Sequence, residues 1–360
     1  MSKKIGIVTG GGDCPGLNTV IRAVAKTATM RGWETLGILG GFDGLLEPRQ
    51  FRVLDYQALG GLLSRGGTIL GTANRGRFSA KVGHGETHQL PKELLDRTRA
   101  GMDALGITAL VSIGGDGSLS ISQQMHEHGI PIIGVPKTID NDLEGTLLTF
   151  GYDSAVACAT DALDRLHTTA ESHNRVMVLE VMGRYAGWIA LSAGIAGGAD
   201  VILIPELPFT YDNICAKIRE REAGGKHFTI VVVAEGAKEK GGGFVVSSLQ
   251  ESNREARLGG IGNVVAAKIG EHSGKESRCC VLGHLQRGGT PTTFDRVLCS
   301  MFGAMAVELI AADDFGKMVA FTGSKIGAVT IAEAVGRLKT VRPDDVMTRT
   351  ARALGICLGD

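Results

Sequence analysis

Residues 134 to 145 read GVPKTIDNDLEG and place Lys137 just ahead of the carboxylates Asp140, Asp142 and Glu144, directly after the apolar run PIIGV. A carboxylate beside a phosphate group can accept a hydroxyl proton, and a second one two residues on can hold or orient a cation. Those are the needs of phosphoryl transfer. A solvated acidic turn would account for the charge, but not for its position at the end of an apolar segment.

Two other turns are placed in the same way. TGGGDCPGLN, residues 9 to 18, follows the apolar run KIGIVT and leads into a helical pattern near Asn18. Its glycines would let backbone N–H groups approach an anion, and the helix would add its positive end. The stretch contains neither GxxxxGK[ST] nor GxGxxG, so it is not a P-loop or a dinucleotide fingerprint. SIGGDGS, residues 112 to 118, flanks Asp116 with Gly114, Gly115 and Gly117. That pattern suits a carboxylate meeting Mg²⁺ while the backbone holds phosphate oxygens, although Asp116 could also simply cap a helix.

These turns need elements to hold them. Short β-branched runs (KIGIVT, TLGIL, ITALVSI, PIIGV, RVMVLEV, DVILIP, FTIVVVAE, RCCVL) alternate with helical spacing over 18–31, 91–104, 154–170, 185–196, 261–272 and 292–312. Such alternation predicts an α/β fold with mainly parallel sheets, which bind ligands at the carboxyl ends of their strands. At 360 residues the chain exceeds what one small core organises, so two lobes are expected.

Composition narrows the partners. Lys plus Arg and Asp plus Glu balance at 38 each, with no charged block that would suit nucleic acid or an anionic membrane. The seven cysteines lack CxxC spacing and read as reduced structural thiols. MSKKIGIVTG enters a strand pattern at once, and no apolar run has the length of a membrane span. A soluble cytoplasmic protein acting on a small molecule is expected.

GGGDCPGLN, GGDGS, PKTIDND, MGRYAGW and LGHLQRGG stand in the order and spacing of the 6-phosphofructokinase family, and the chain resembles that family over nearly its whole length. The resemblance implies two Rossmann-like three-layer lobes with the active site in the cleft between them. The larger, phosphoryl-donor lobe would comprise 1–152 plus 287–336, and the smaller, sugar-phosphate lobe 153–286 plus 337–360. It also implies ATP-dependent transfer, assisted by Mg²⁺, of a phosphoryl group to the 1-hydroxyl of fructose 6-phosphate, a step of glycolysis.

By the same resemblance Asp140 is the base for that hydroxyl, with Thr138 beside it, and Asp116 and Asp142 are the metal-linked acids. Gly12, Gly115, Asp116, Gly117, Ser118 and Lys137 form the donor set. An arginine following GGTILGT would stabilise the transferring group; Arg75 is the first choice and Arg77 the second. Met182, Gly183, Arg184, Glu235, His284 and Arg287 would hold the sugar phosphate. Arg175 and Arg278 would reach it from a neighbouring subunit, making a homodimer or homotetramer obligatory. Several arginines on one phosphate make chemical sense, because guanidinium offers paired donors.

Two positions bear on the donor. In the family, ATP users carry glycine at both, whereas pyrophosphate users carry aspartate and then lysine; this chain carries Gly117 and Lys137. An aspartate would set bulk and negative charge where an α-phosphate must lie, whereas a flexible lysine is expected to move aside. The donor is therefore read as ATP, with pyrophosphate as the alternative. Residues 72–91 are a candidate neighbour of the adenosine, and His167, Asp200 and Lys226 fall at effector positions of the family without indicating an effector. Rival readings are an NAD or lipid kinase sharing GGDG, which leaves PKTIDND, MGR and LGHLQRGG unexplained, and a non-catalytic sensor, which has no reason to keep all three aspartates.

Overall fold

The computed structural model describes residues 3–72, 77–78, 89–248 and 257–360. In chain order its regular elements begin with β1 (Lys4–Thr9), α1 (Leu17–Met30), β2 (Glu34–Ile38), β3 (Phe51–Val53), α2 (Lys92–Leu105), β4 (Ala109–Gly114), α3 (Asp116–Glu127) and β5 (Ile132–Pro136). They continue with α4 (Tyr152–His173), β6 (Val176–Val181), α5 (Trp188–Ala196), β7 (Val201–Leu203), α6 (Tyr211–Ala223), β8 (Thr229–Ala234), β9 (Val246–Ser248), β10 (Arg257–Leu258), α7 (Ile261–Ser273) and β11 (Ser277–Val281). The chain closes with α8 (Thr293–Ala311), β12 (Lys317–Phe321), β13 (Ile326–Thr330), α9 (Ile331–Val335) and α10 (Val346–Ala353).

Two compact units emerge: Met1–Asp153 with Arg287–Leu338, and Ser154–Gln286 with Lys339–Asp360. The first unit carries a seven-stranded sheet in the order β13-β12-β5-β4-β1-β2-β3. Its five inner strands are parallel, while the edge strands β13 and β3 run antiparallel to their neighbours. The inner strands are apolar in continuous runs, as required of strands covered on both faces. Ile5, Ile7, Leu110 and Ile132 are fully buried. α8 crosses α1 closely at Gly303, where a Cβ would lie 2.5 Å from that of Ala23.

The second unit holds a parallel sheet in the order β11-β6-β8-β7 and a separate antiparallel pair, β10-β9. Val178, Leu203, Phe209, Ile214, Val231 and Val265 lie in its core. Nine of the described elements lie outside the spans read from the sequence: β3, α3, α6, β9, β10, β12, β13, α9 and α10. In α6 and α10 the side-chain oxygens of Thr210 and Asp345 accept from backbone N–H groups of the first turn.

The strand order matters for the site. From β1 the chain moves to β2 on one side and later to β4 on the other, which opens a crevice at the carboxyl ends of β1 and β4. Both glycine-rich turns leave the sheet there, and the acidic segment leaves the next strand, β5.

Candidate active site

The three turns are laced together by the backbone. Gly10 N–H donates to Ile113 O at 3.0 Å and Lys137 N–H to Gly114 O at 2.9 Å. A Cβ at Gly10 would come within 3.0 Å of the Ser118 Cβ, so only glycine lets β1 end this close to α3. Gly11 has a φ of 76°, a left-handed conformation that glycine adopts without strain. At Gly117, by contrast, a Cβ would meet nothing within 4 Å. The second turn is therefore open on that side, and α3 starts at Asp116 with no side-chain cap from Gly115.

Lys137 does not behave as the mobile side chain expected of it. It is 4% exposed, and its ammonium group donates to the carbonyl of Gly12. Burial pushes its pKa below 10.5; Cys14 and Asp13 favour the charge and Arg287 opposes it. The Arg287 guanidinium donates to Asp13 O at 3.2 Å, so two cations flank one turn. Cys14, in the same turn, is fully buried, and its thiol is pushed up to about 12 by that burial.

Beyond β5, Asp140 N–H donates to Thr138 Oγ1 at 3.1 Å, and Thr138, Asp140 and Asp142 are half-buried. A Cβ at Gly115 would lie 3.1 Å from Lys137 O and 4.0 Å from the Thr138 Cβ, so the Asp116 turn abuts the start of the acidic segment. The structure thus brings Gly12, Gly115, Asp116, Gly117, Ser118, Lys137 and Thr138 onto one edge of one sheet.

The segment leading towards the expected arginine is docked on the same edge. Thr9 Oγ1 donates to Gly71 O at 2.7 Å, and Thr72 Oγ1 donates to Gly11 O. Asn18 Nδ2 donates to Arg65 O and Gly66 O, both at 3.1 Å, while its Oδ1 accepts from Ile69 N–H at 2.8 Å. Arg75 lies outside the described residues, as does most of 72–91. Arg77 is exposed and lines a cavity of about 480 Å³ with Leu39, Asp43, Glu47 and Gln50.

In the second unit the VMGR, VVVAEG and LGHLQ segments also meet. Met182 N–H donates to the Oε1 of buried Gln286 at 2.8 Å, which ties the VMGR turn to the LGHLQ turn. Glu235 N–H donates to Val181 O at 2.9 Å, and Gly236 N–H to Gly183 O at 3.1 Å. Met182, Gly183, Arg184 and Glu235 therefore share the carboxyl ends of β6 and β8. His284 is exposed on the short 3-10 turn Gly283–Arg287. Arg287, grouped with these residues in the sequence reading, sits in the first unit on the glycine turn.

Arg175 and Arg278 meet on one carboxylate that the sequence did not single out. Glu276 pairs with Arg175 Nε at 2.8 Å and with Arg278 Nη2 at 2.6 Å. The Arg175 hydrogen bond, then the charges of both arginines against partial desolvation, hold its pKa below 4.5. Two more carboxylates escaped notice because buried glutamates have no sequence signature. Glu180 accepts from Gly260 and Gly262 N–H at the start of α7, and Glu206 accepts from Gly187 and Val341 N–H. Two positions compared with the family's effector pocket make internal contacts: His167 Nε2 lies 2.7 Å from Gly197 O, and Asp200 pairs with Arg221 at 2.5 Å.

An open parallel sheet with two glycine turns and an acid-bearing third turn at its switch point defines an α/β protein built for phosphate compounds. The phosphofructokinase family profile matches residues 4–310, and the chain belongs to that family. It is 51% identical over 358 residues to a Chloroflexus aggregans protein named ATP-dependent 6-phosphofructokinase, covering 99% of this chain and 98% of that one. It is 48% identical over 343 residues to the pyrophosphate–fructose 6-phosphate 1-phosphotransferase of Amycolatopsis methanolica, covering 95% and 97%. The solved phosphofructokinase of Saccharomyces cerevisiae matches with a TM-score of 0.81 at 30% identity over 93% of this chain and 45% of the yeast chain. This chain thus spans under half of the yeast subunit.

Proposed function

We propose that the protein is an ATP-dependent 6-phosphofructokinase, transferring the γ-phosphoryl group of ATP to the 1-hydroxyl of fructose 6-phosphate to give fructose 1,6-bisphosphate and ADP. The observation that carries this reading is the meeting of the open Gly117 turn with the Thr138–Asp142 segment at the sheet's switch point. Asp140 takes the hydroxyl proton as the oxygen attacks in line, and Thr138 orients the reacting groups. Arg75 and Arg184 offset charge on the transferring phosphoryl group, while Gly12, Gly115, Gly117 and Ser118 cradle the donor. Most of the rate comes from positioning and charge complementarity, since the transferred group already carries the charge.

Asp116 and Asp142 are the side chains proposed to hold Mg²⁺. Among the described residues no group of three or more His, Cys, Asp or Glu could hold a metal unaided. The residues present still fit Mg²⁺, which uses one or two carboxylates and takes its other ligands from phosphates and water. Once bound, the cation neutralises phosphate charge.

Met182, Gly183, Arg184, Glu235 and His284 of the second unit bind the sugar phosphate together with Arg287 of the first, which otherwise serves the donor. Arg175 and Arg278 complete a neighbouring subunit's site in a homodimer or homotetramer. The proposed site of action is the cytoplasm; among the described residues no helix is long and apolar enough to cross a membrane.

Pyrophosphate is the second reading, favoured by the Lys137 ammonium beside the first glycine turn. Initial rates with fructose 6-phosphate and Mg²⁺, run with ATP and with pyrophosphate in matched series, decide between them. High kcat/KM for ATP with little pyrophosphate activity is expected. The reverse would make Lys137 the donor-setting residue, and no turnover with either donor would favour a sensor.

A further inference from the structure

We infer that Asn141, between the two aspartates of the acidic turn, is the residue that positions them for the reaction. The inference rests on the reading of Asp140 as base.

Asn141 is 4% exposed and has a φ of 52°, one of three non-glycine residues with positive φ among those described. Left-handed backbone is costly for most L-residues, and asparagine is among the few that accept it. At this position it reverses the chain between Asp140 and Asp142. Both ends of the side chain are engaged. Its Oδ1 accepts from Thr149 N–H at 3.1 Å and lies 3.4 Å from Thr149 Oγ1, while its Nδ2 donates to Leu147 O at 3.3 Å.

The returning segment is fastened at two further points. Thr149 Oγ1 donates to Thr138 O at 2.7 Å, and Phe321 N–H, on β12, donates to Thr146 Oγ1 at 3.0 Å. The acidic turn is therefore closed into a ring. Thr138 enters it, Asp140 and Asp142 lie on it to either side of Asn141, and Thr149 returns beside Thr138, with Asn141 as the inner clasp. A surface turn has no need for a buried amide with both donor and acceptor used. A pair of carboxylates that must keep a fixed relation to substrate and cation does, because small misplacements of reacting groups are expensive.

The test compares Asn141→Gly with Asp140→Asn in the full-length protein. Glycine keeps the left-handed backbone without strain and removes only the clasp. For Asn141→Gly we expect kcat to fall about 10- to 100-fold, the range found when outer supporting groups are lost. KM for fructose 6-phosphate and for the donor should stay within about threefold. A role confined to stability would lower Tm and leave kcat in place.

Wild-type kcat in Asn141→Gly alongside an inactive Asp140→Asn would overturn the inference alone. Full turnover in Asp140→Asn would remove the assigned base and the inference with it. Should Asn141→Gly fail to fold, Thr149→Val and Thr149→Ser ask the same question at the other half of the clasp. The valine variant should lose kcat and the serine variant recover it, and equal kcat in the two would overturn the proposal.

Discussion

The ammonium of Lys137, at the end of β5, donates a hydrogen bond to the main-chain carbonyl of Gly12, in the turn after β1. A side chain that the sequence suggested could swing clear of a nucleotide is instead buried and spent on the backbone of the donor turn. It shares that turn with Thr72, whose hydroxyl donates to Gly11 O, and with Arg287, which donates to Asp13 O, so all three successive carbonyls are engaged by side chains.

That bond gives Lys137 a signature in both pH and kinetics. A lysine whose pKa is lowered in the native state takes up a proton on unfolding. The unliganded protein should therefore gain stability as pH rises through the lowered pKa towards 10.5. Thermal melts between pH 7.5 and 10 should show this gain in the wild type and not in Lys137→Met. The methionine variant should also show a raised KM for the donor, because the Gly12 carbonyl loses its partner. Parallel pH curves for the two proteins would show that the ammonium is not the group responsible.

Gly117 is open on its Cβ side. Gly117→Asp should fold normally and, by setting a second negative charge against the donor, lower kcat/KM for ATP by about 100-fold or more, since like-charge juxtaposition costs several kcal/mol. Pyrophosphate turnover should suffer less. Equal losses with both donors would mean that the position does not discriminate between them.

Glu276 holds Arg175 and Arg278 side by side. If these arginines serve a neighbouring subunit, Arg175→Ala and Asp140→Asn proteins, each nearly inactive, should regain measurable activity when mixed and reassembled. Hybrids can then contain one site with an intact base and an intact neighbouring arginine. Mixtures no more active than their parts would place Arg175 in its own subunit's site.

Burial pushes the Glu206 carboxyl above 4.5, against the opposing hydrogen bonds from Val341 and Gly187. A carboxyl raised in the native state stabilises below 4.5 and loses that contribution as pH climbs through its native pKa. Glu206→Gln keeps a carbonyl oxygen for both N–H donors and carries no charge. Its Tm should therefore be the less pH-dependent of the two between pH 4 and 7, with Glu206→Ala the least stable throughout because it leaves the donors unpaired. Identical slopes for wild type and Glu206→Gln would refute the link.

Much of this molecule is written in local sequence. Apolar runs such as KIGIVT and PIIGV are long enough only for buried strands, and each is followed by glycines or acids that can serve only at a strand end, so strands, helices and the donor-side turns were legible together. The β12–β13 hairpin was not, because its strands owe their pairing to partners distant in sequence. The roles of Lys137, Asn141, Glu276 and Gln286 were equally hidden. A lysine or glutamate reads as solvated until the fold removes its water, and a hydrogen bond from Lys137 to Gly12 spans 125 positions of chain. The sequence by itself determined which chemical groups are present and that they sit at strand ends. Only the tertiary structure decided which of them are desolvated and therefore obliged to bind one another, because desolvation depends on what packs around a residue and not on its neighbours in the chain.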